Sequence, residues 1–257
     1  MGNYTSNTKK KKTGGRPIAP HLSVSSPFAI KEAYNSIRTK IMFTGKGEKC
    51  PIFAVTSSLA SDGKTTNAVN LAISFAIADQ RVLLIDADMR KPSIHRHFGC
   101  ESRNGLSEVL AGLTTEINLR KTDTEKLTIL TAGQIPPNPA ELLSNDKMDT
   151  LLEYVRGYFD YVIIDTPPVN IVTDATVLAE KVTGYVFVAQ SGKNHIRDIA
   201  DALHQLEDMN ANMVGMILND PANEAENHYG YRYKRYYRSN GYRYGPDVTA
   251  NPEKKDG

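Results

Sequence analysis

From residue 27 onward the chain alternates short apolar runs with longer amphipathic stretches. The pattern predicts a helix over residues 27–43 and strands over 52–56, 82–85, 127–130, 161–164, 185–188 and 213–218, with helical segments between most of them. These strands are apolar at nearly every position instead of at alternate ones, as expected of a parallel sheet covered on both faces by helices. In such a sheet ligands bind beyond the carboxyl ends of the strands, so the residues after each strand are where chemistry is sought.

The ends of the chain break this pattern. Residues 1–26 are polar and contain Lys9, Lys10, Lys11 and Lys12 in a row, which predicts a disordered basic arm. Residues 223–257 are polar, aromatic and basic without periodicity and predict a flexible tail. Between them, residues 27–222 supply material for one α/β domain, in a chain of 257 residues of which 40% are hydrophobic. Thirty-one basic residues against twenty-nine acidic ones give a net charge of +2, so overall charge points to neither nucleic acid nor membrane. Cys50 and Cys100 are far apart and form no Cys/His cluster, which argues against a zinc site or a secreted disulfide scaffold and fits a reducing cytosol. No apolar run reaches the ~20 residues of a membrane span.

Chemistry-bearing residues follow three of the strands. After the first comes Ser57-Ser58-Leu59-Ala60-Ser61-Asp62-Gly63-Lys64-Thr65-Thr66, and then an apolar helix. A Gly-Lys-Thr at a strand-to-helix junction surrounds β- and γ-phosphates with backbone N–H groups, an ammonium and a helix N-terminus, and offers a Mg²⁺ ligand in the Thr65 hydroxyl. The plain alternative is a turn with an exposed lysine. After the second strand, Asp86 and Asp88 stand two residues apart, spacing that aims both the same way if the strand continues. They suit Mg²⁺ binding or proton acceptance, or else helix capping and a loop ion pair with Arg90 or Lys91. After 161–164 come Asp165, Thr166, Pro167 and Pro168, where proline ends the strand and the aspartate suits metal positioning. Asn219, following the last strand, is either a purine-reading amide or an ordinary turn residue.

The tail concentrates Tyr229, Tyr231, Tyr233, Tyr236, Tyr237, Tyr242 and Tyr244, seven of the thirteen tyrosines, among Arg232, Lys234, Arg235, Arg238 and Arg243. No aliphatic residue accompanies them to build a core. Interleaved aromatic and basic residues also suit stacking on single-stranded nucleic acid, but the upstream phosphate site favours the tyrosines as phosphoryl acceptors, with no nucleic-acid partner.

Taken with Glu32-Ala33-Tyr34-Asn35-Ser36-Ile37-Arg38-Thr39, Asp86 to Pro92, Pro136-Pro137-Asn138-Pro139, Glu141-Leu142-Leu143 and Asp165 to Pro168, these features make the chain resemble the bacterial tyrosine kinases of capsule and exopolysaccharide operons. The likeness is to the short Gram-positive form, separate from its membrane activator, and covers residues 28 to 244. It implies a P-loop NTPase fold of the MinD/ParA-like branch, using ATP and Mg²⁺. By the resemblance, Ser61, Asp62, Gly63, Lys64, Thr65, Thr66, Arg90 and Asn219 contact the nucleotide. Thr65, Asp88 and Asp165 hold the metal, Lys64, Asp86 and Asp88 are catalytic with Asp86 accepting the tyrosine proton, and Glu32, Asn35 and Arg38 assemble a homo-oligomeric ring. It also implies a membrane-embedded regulator of polysaccharide chain length as activator, recruitment to the inner membrane face through it, and a cognate tyrosine phosphatase.

The chain departs from the family pattern twice. Asn35 stands where an arginine is common, which predicts weaker ring contacts, and Ala60-Ser61 stands where Pro-Gly is common. A left-handed serine at 61 costs about 1 to 2 kcal/mol. The rival readings are a positioning or partition ATPase of the same branch, in which a lysine usually follows the first loop position where this chain has Leu59, and a non-catalytic adaptor switched by nucleotide.

Overall fold

A computed structural model describes residues 21–219; the arm to residue 20, the domain end at 222 and the tyrosine cluster 229–244 lie outside the described residues. Helix α1 (Phe28–Thr44) precedes β1 (Ile52–Ser57), α2 (Lys64–Ile77), β2 (Val82–Asp86), and the short α3 (Ile94–His97) and α4 (Leu106–Ala111). Then come β3 (Arg120–Lys121), β4 (Leu127–Leu130), α5 (Pro139–Ser144), α6 (Asp146–Arg156), β5 (Tyr161–Asp165), β6 (Gly184–Gln190), α7 (Ile196–Asp208) and β7 (Met213–Asn219). The strands form one sheet in the order β3-β4-β2-β5-β1-β6-β7, parallel throughout except for β3 against β4.

Period-two alternation within the buried strands sorts side chains to the two faces. Phe53, Val55, Leu84 and Ile163 pack with α1 and α2, through Ile41, Leu71 and Phe75. Ile52, Leu83, Ile85, Val162 and Ile164 pack on the opposite face with α4, α5 and α6, through Leu106, Leu143 and Leu151. Tyr185 and Phe187 of β6 meet Ala202 and Leu206 of α7. Burying a side chain such as Leu71 stabilises by roughly 1.5–3 kcal/mol, and truncation to alanine costs roughly 2–5 kcal/mol because a cavity remains.

Of the basic arm expected over 1–26, residues 21–26 are described. Leu22 is buried against the α2 face of the core, and its backbone N–H donates to Asn70 Oδ1 at 2.8 Å. One buried apolar side chain and one backbone bond tie this segment to the core.

Candidate functional site

The loop between β1 and α2 is positioned by hydroxyls that knit neighbouring strand ends. Thr56 Oγ1 donates to Pro167 O at 2.9 Å, and Thr166 Oγ1 donates to Val55 O at 3.0 Å. Within the loop Ser61 has φ +65° and Gly63 φ +91°, so the left-handed serine considered from the sequence is realised. Glycine at 63 answers a second demand, since a Cβ there would lie 2.2 Å from Asn219 Nδ2. Helix α2 starts at Lys64 with no side-chain cap, leaving the N–H groups of Lys64, Thr65 and Thr66 for an anion.

Beta-strands β2 and β5 are neighbours with Asp86 in register with Asp165, which places two carboxylates side by side at the sheet's carboxyl edge. Lys64 Nζ, almost wholly buried, donates to Asp88 Oδ2 at 2.8 Å and lies 3.9 Å from Asp165 Oδ1. Thr65 Oγ1 donates to Asp165 Oδ2 at 2.6 Å, and Ser93 Oγ donates to Thr65 Oγ1 at 3.2 Å. Asp86 Oδ2 accepts the N–H groups of Ser93 and Ile94, both at 3.0 Å. Asp86 therefore does cap the start of α3, as the plain alternative held, but with one oxygen only. Its Oδ1, like Asp165 Oδ1, is buried without a hydrogen-bond partner among the described residues.

Three carboxylates around one ammonium leave a surplus of negative charge, and the protonation equilibria register it. Burial, with the Asp165 charge added, pushes Asp86 up to about 8, against the pull of its two backbone N–H bonds. Burial likewise raises Asp165 to about 6, although Lys64 and Thr65 oppose it. For Lys64 burial works downward, but Asp165, Asp88 and Asp86 together outweigh it and raise its pKa. The orphaned Asp165 Oδ1, with the Thr65 hydroxyl and the Asp88 carboxylate, makes a donor set of the all-oxygen kind that suits Mg²⁺.

Lys64, Thr65, Asp86, Asp88 and Asp165 thus converge, with Ser61, Asp62 and Gly63 in the adjoining loop and Thr66 in the first turn of α2. Asn219 reaches the same loop, but its Nδ2 donates to Asp62 O at 3.0 Å. Arg90, which the resemblance assigns to nucleotide contact, forms a two-pronged pair with the buried Asp174, Nε to Oδ2 and Nη2 to Oδ1 both at 2.9 Å. Glu32, Asn35 and Arg38 do share a face of α1: Asn35 Nδ2 donates to Glu32 Oε1 at 2.9 Å and Arg38 Nη1 to Asn35 Oδ1 at 3.0 Å. Arg38 Nη1 also donates to Ser74 O at 2.8 Å and Ser74 Oγ at 2.9 Å, fastening α1 to α2 within the chain. The sequence reading missed Ser93, Asp174, Lys193 and Asn194. The last two follow β6 directly, so searching every strand end would have found them; nothing local marks Asp174.

This loop, helix and carboxylate arrangement on a largely parallel sheet defines a P-loop nucleotide-binding protein. Residues 52–215 match the family model described as an AAA domain. The chain is 34% identical over 225 residues to the putative tyrosine-protein kinase CapB of Staphylococcus aureus, spanning 87% of this chain and 98% of that protein. It is 37% identical over 224 residues to the tyrosine-protein kinase YwqD of Bacillus subtilis (strain 168), spanning 86% of this chain and 94% of the other. Among solved structures, the kinase domain of Escherichia coli tyrosine kinase ETK superposes with a TM-score of 0.71 at 34% identity, covering 79% of this chain and 84% of that one. The chain belongs to the bacterial tyrosine-protein kinases.

Proposed function

We propose that this kinase uses Mg-ATP to phosphorylate the tyrosines of its own tail, Tyr229 to Tyr244, chiefly between copies, and that residues 27–222 are the kinase domain and 223–257 the substrate segment. The observation that carries this reading is the Lys64, Asp88, Asp165 and Thr65 network, with the orphaned Oδ1 of Asp165 in it and that of Asp86 beside it. Thr65, Asp88 and Asp165 would hold Mg²⁺, which supplies charge neutralisation of the phosphate oxygens. Lys64 leaves Asp88 to bind the β- and γ-phosphates, and the N–H groups of the loop and of α2 fix their position. The tyrosine Oη forms a bond to the γ-phosphorus as the bond to the bridging oxygen of ADP breaks. The phenolic proton passes to Asp86 Oδ1, the oxygen left without a partner. Without metal a carboxyl raised to about 8 is mostly protonated at neutral pH, and Mg²⁺ held beside it would favour the ionised form that accepts the proton.

The wider setting rests on the family likeness: control of capsular or exopolysaccharide synthesis or export, activation by a membrane-embedded chain-length regulator that recruits the kinase to the inner membrane face, and reversal by a tyrosine phosphatase. No helix among the described residues is long and apolar enough to cross a membrane.

The test incubates the full chain with Mg-ATP, with and without the regulator's cytoplasmic segment, and maps phosphate by mass spectrometry. We expect phosphotyrosine confined to residues 229–244 and lost in Lys64→Met. Mixing Lys64→Met protein with an active copy whose tail tyrosines are phenylalanine should label the Lys64→Met tail. Phosphate release without tail phosphotyrosine would instead support a positioning ATPase, and neither product a nucleotide-switched adaptor.

A further inference from the structure

The phosphate loop is gripped on its other flank by a second polar cluster, centred on Asp62. That carboxylate is fully buried. Its Oδ2 accepts the Leu59 N–H at 2.9 Å, Asn194 Nδ2 at 3.0 Å and, at 3.4 Å, the Ser58 hydroxyl. Its Oδ1 accepts Lys193 Nζ at 2.8 Å, and the same ammonium donates to Ala60 O at 2.6 Å. Asn194 Nδ2 lies 3.2 Å from Ser58 Oγ, while its Oδ1 accepts the Gln190 N–H. The ring of bonds closes through β7: Asn219 Nδ2 donates to Asp62 O at 3.0 Å and Ser191 N–H donates to Asn219 O at 2.8 Å. Every outside donor comes from the carboxyl ends of β6 and β7, whereas the Lys64 network draws on β2 and β5.

The loop so held is one that local preference disfavours. Ser61 sits in the left-handed region, and Ser58 occupies the place of the first glycine of the usual phosphate-loop pattern. A disfavoured conformation persists only where its surroundings over-determine it. We propose that Asp62, Lys193 and Asn194 form a latch that holds the phosphate loop in its anion-binding shape, and that these three positioning residues set the affinity for ATP. Lys193 adds charge-assisted bonds to both the loop carbonyl and the buried carboxylate, and Asn194 bridges the two hydrogen-bonded positions, Ser58 and Asp62. This rests on the reading of the loop as the ATP site.

The test measures binding of a non-hydrolysable ATP analogue with Mg²⁺ to the full chain by calorimetry, alongside the thermal unfolding midpoint of each variant. Loss of a charge-assisted bond should weaken binding by roughly tenfold in Lys193→Met, with a smaller loss in Asn194→Ala. Lys193→Met combined with Asp62→Asn should cost less than the sum of the two, because both break one pair. Ser61→Gly, which relieves the left-handed strain, should restore part of the affinity of Lys193→Met. Wild-type affinity in Lys193→Met and Asn194→Ala, while Lys64→Met loses binding, would overturn the latch and leave the ATP site standing. A drop explained entirely by loss of folded protein, with no rescue by Ser61→Gly, also overturns it. If the unaltered chain binds no analogue, or Lys64→Met binds as well as it does, the ATP-site reading itself fails.

Discussion

At the scale of single residues, the tension lies in Asp86, a fully buried carboxylate facing a second one across adjacent strands. Its pKa is raised from 3.8 to about 8, so between those values the folded protein holds a proton that the unfolded chain has released. Stability contributed by that protonated form is complete below the unfolded value and is lost as pH rises toward the folded one. Asp165, raised to about 6, acts in the same direction over a narrower interval. His97, which burial with help from His21 and Arg96 lowers from 6.5 to about 4, acts in the opposite direction, as does His21, lowered by burial. The histidine effects end near 6.5, so from there to about 8 the Asp86 slope stands alone. In metal-free buffer, urea unfolding should show stability falling across that interval, by at most about 1.4 kcal/mol per pH unit, and Asp86→Asn should flatten the slope. Equal stability at both ends of the interval in the unaltered protein would contradict a protonated Asp86.

At the scale of elements, the polar seam between α1 and α2 makes its own prediction. Tyr34 Oη donates to Asn67 Oδ1 at 3.0 Å, and Arg38 bonds both the carbonyl and the hydroxyl of buried Ser74. Arg38→Ala strips those partners and should lower stability by roughly 1–3 kcal/mol, measured by denaturant at concentrations too low for assembly. An unchanged midpoint under dilution would return Arg38 to a role between copies alone. Such long-range choices are what the sequence does not disclose. The strands β1, β2, β4, β5 and β6 were legible because burial on both faces writes each as a nearly continuous apolar run, and β7 carries such a run although it is a largely exposed edge strand. The two-residue β3, Arg120 and Lys121, carries no such mark and exists only through pairing with β4. The same division holds in the site. Lys64, Thr65, Asp86 and Asp165 could be foreseen because each terminates a strand or opens the helix after one. Arg90 could not be placed, since its partner lies 84 residues away and an arginine near a phosphate loop suits either anion. Lys193 is likewise paired across 131 residues.

For the whole molecule, the distribution of charge along the chain makes a prediction about assembly under the proposed autophosphorylation. Between Tyr229 and Tyr244 lie five basic side chains and no acidic one, so the unmodified segment is positive. Each phosphotyrosine adds ~−1.5 to −2, and seven would add about −10 to −14, reversing the sign of the segment. The carboxylate-rich sites of neighbouring copies, which attract the positive segment, would then repel it, while a single attached phosphate would leave the segment positive. The dependence on phosphate number should therefore be a threshold near the point where about three phosphates cancel the five basic charges. Screening by salt would shift that point upward, since exposed charges more than about 8–10 Å apart interact weakly at physiological ionic strength. Sedimentation velocity on protein fractionated by phosphate number should show the oligomer persisting below that threshold and dissolving above it. Fully modified protein that sediments like the unmodified form at low salt would refute the charge mechanism.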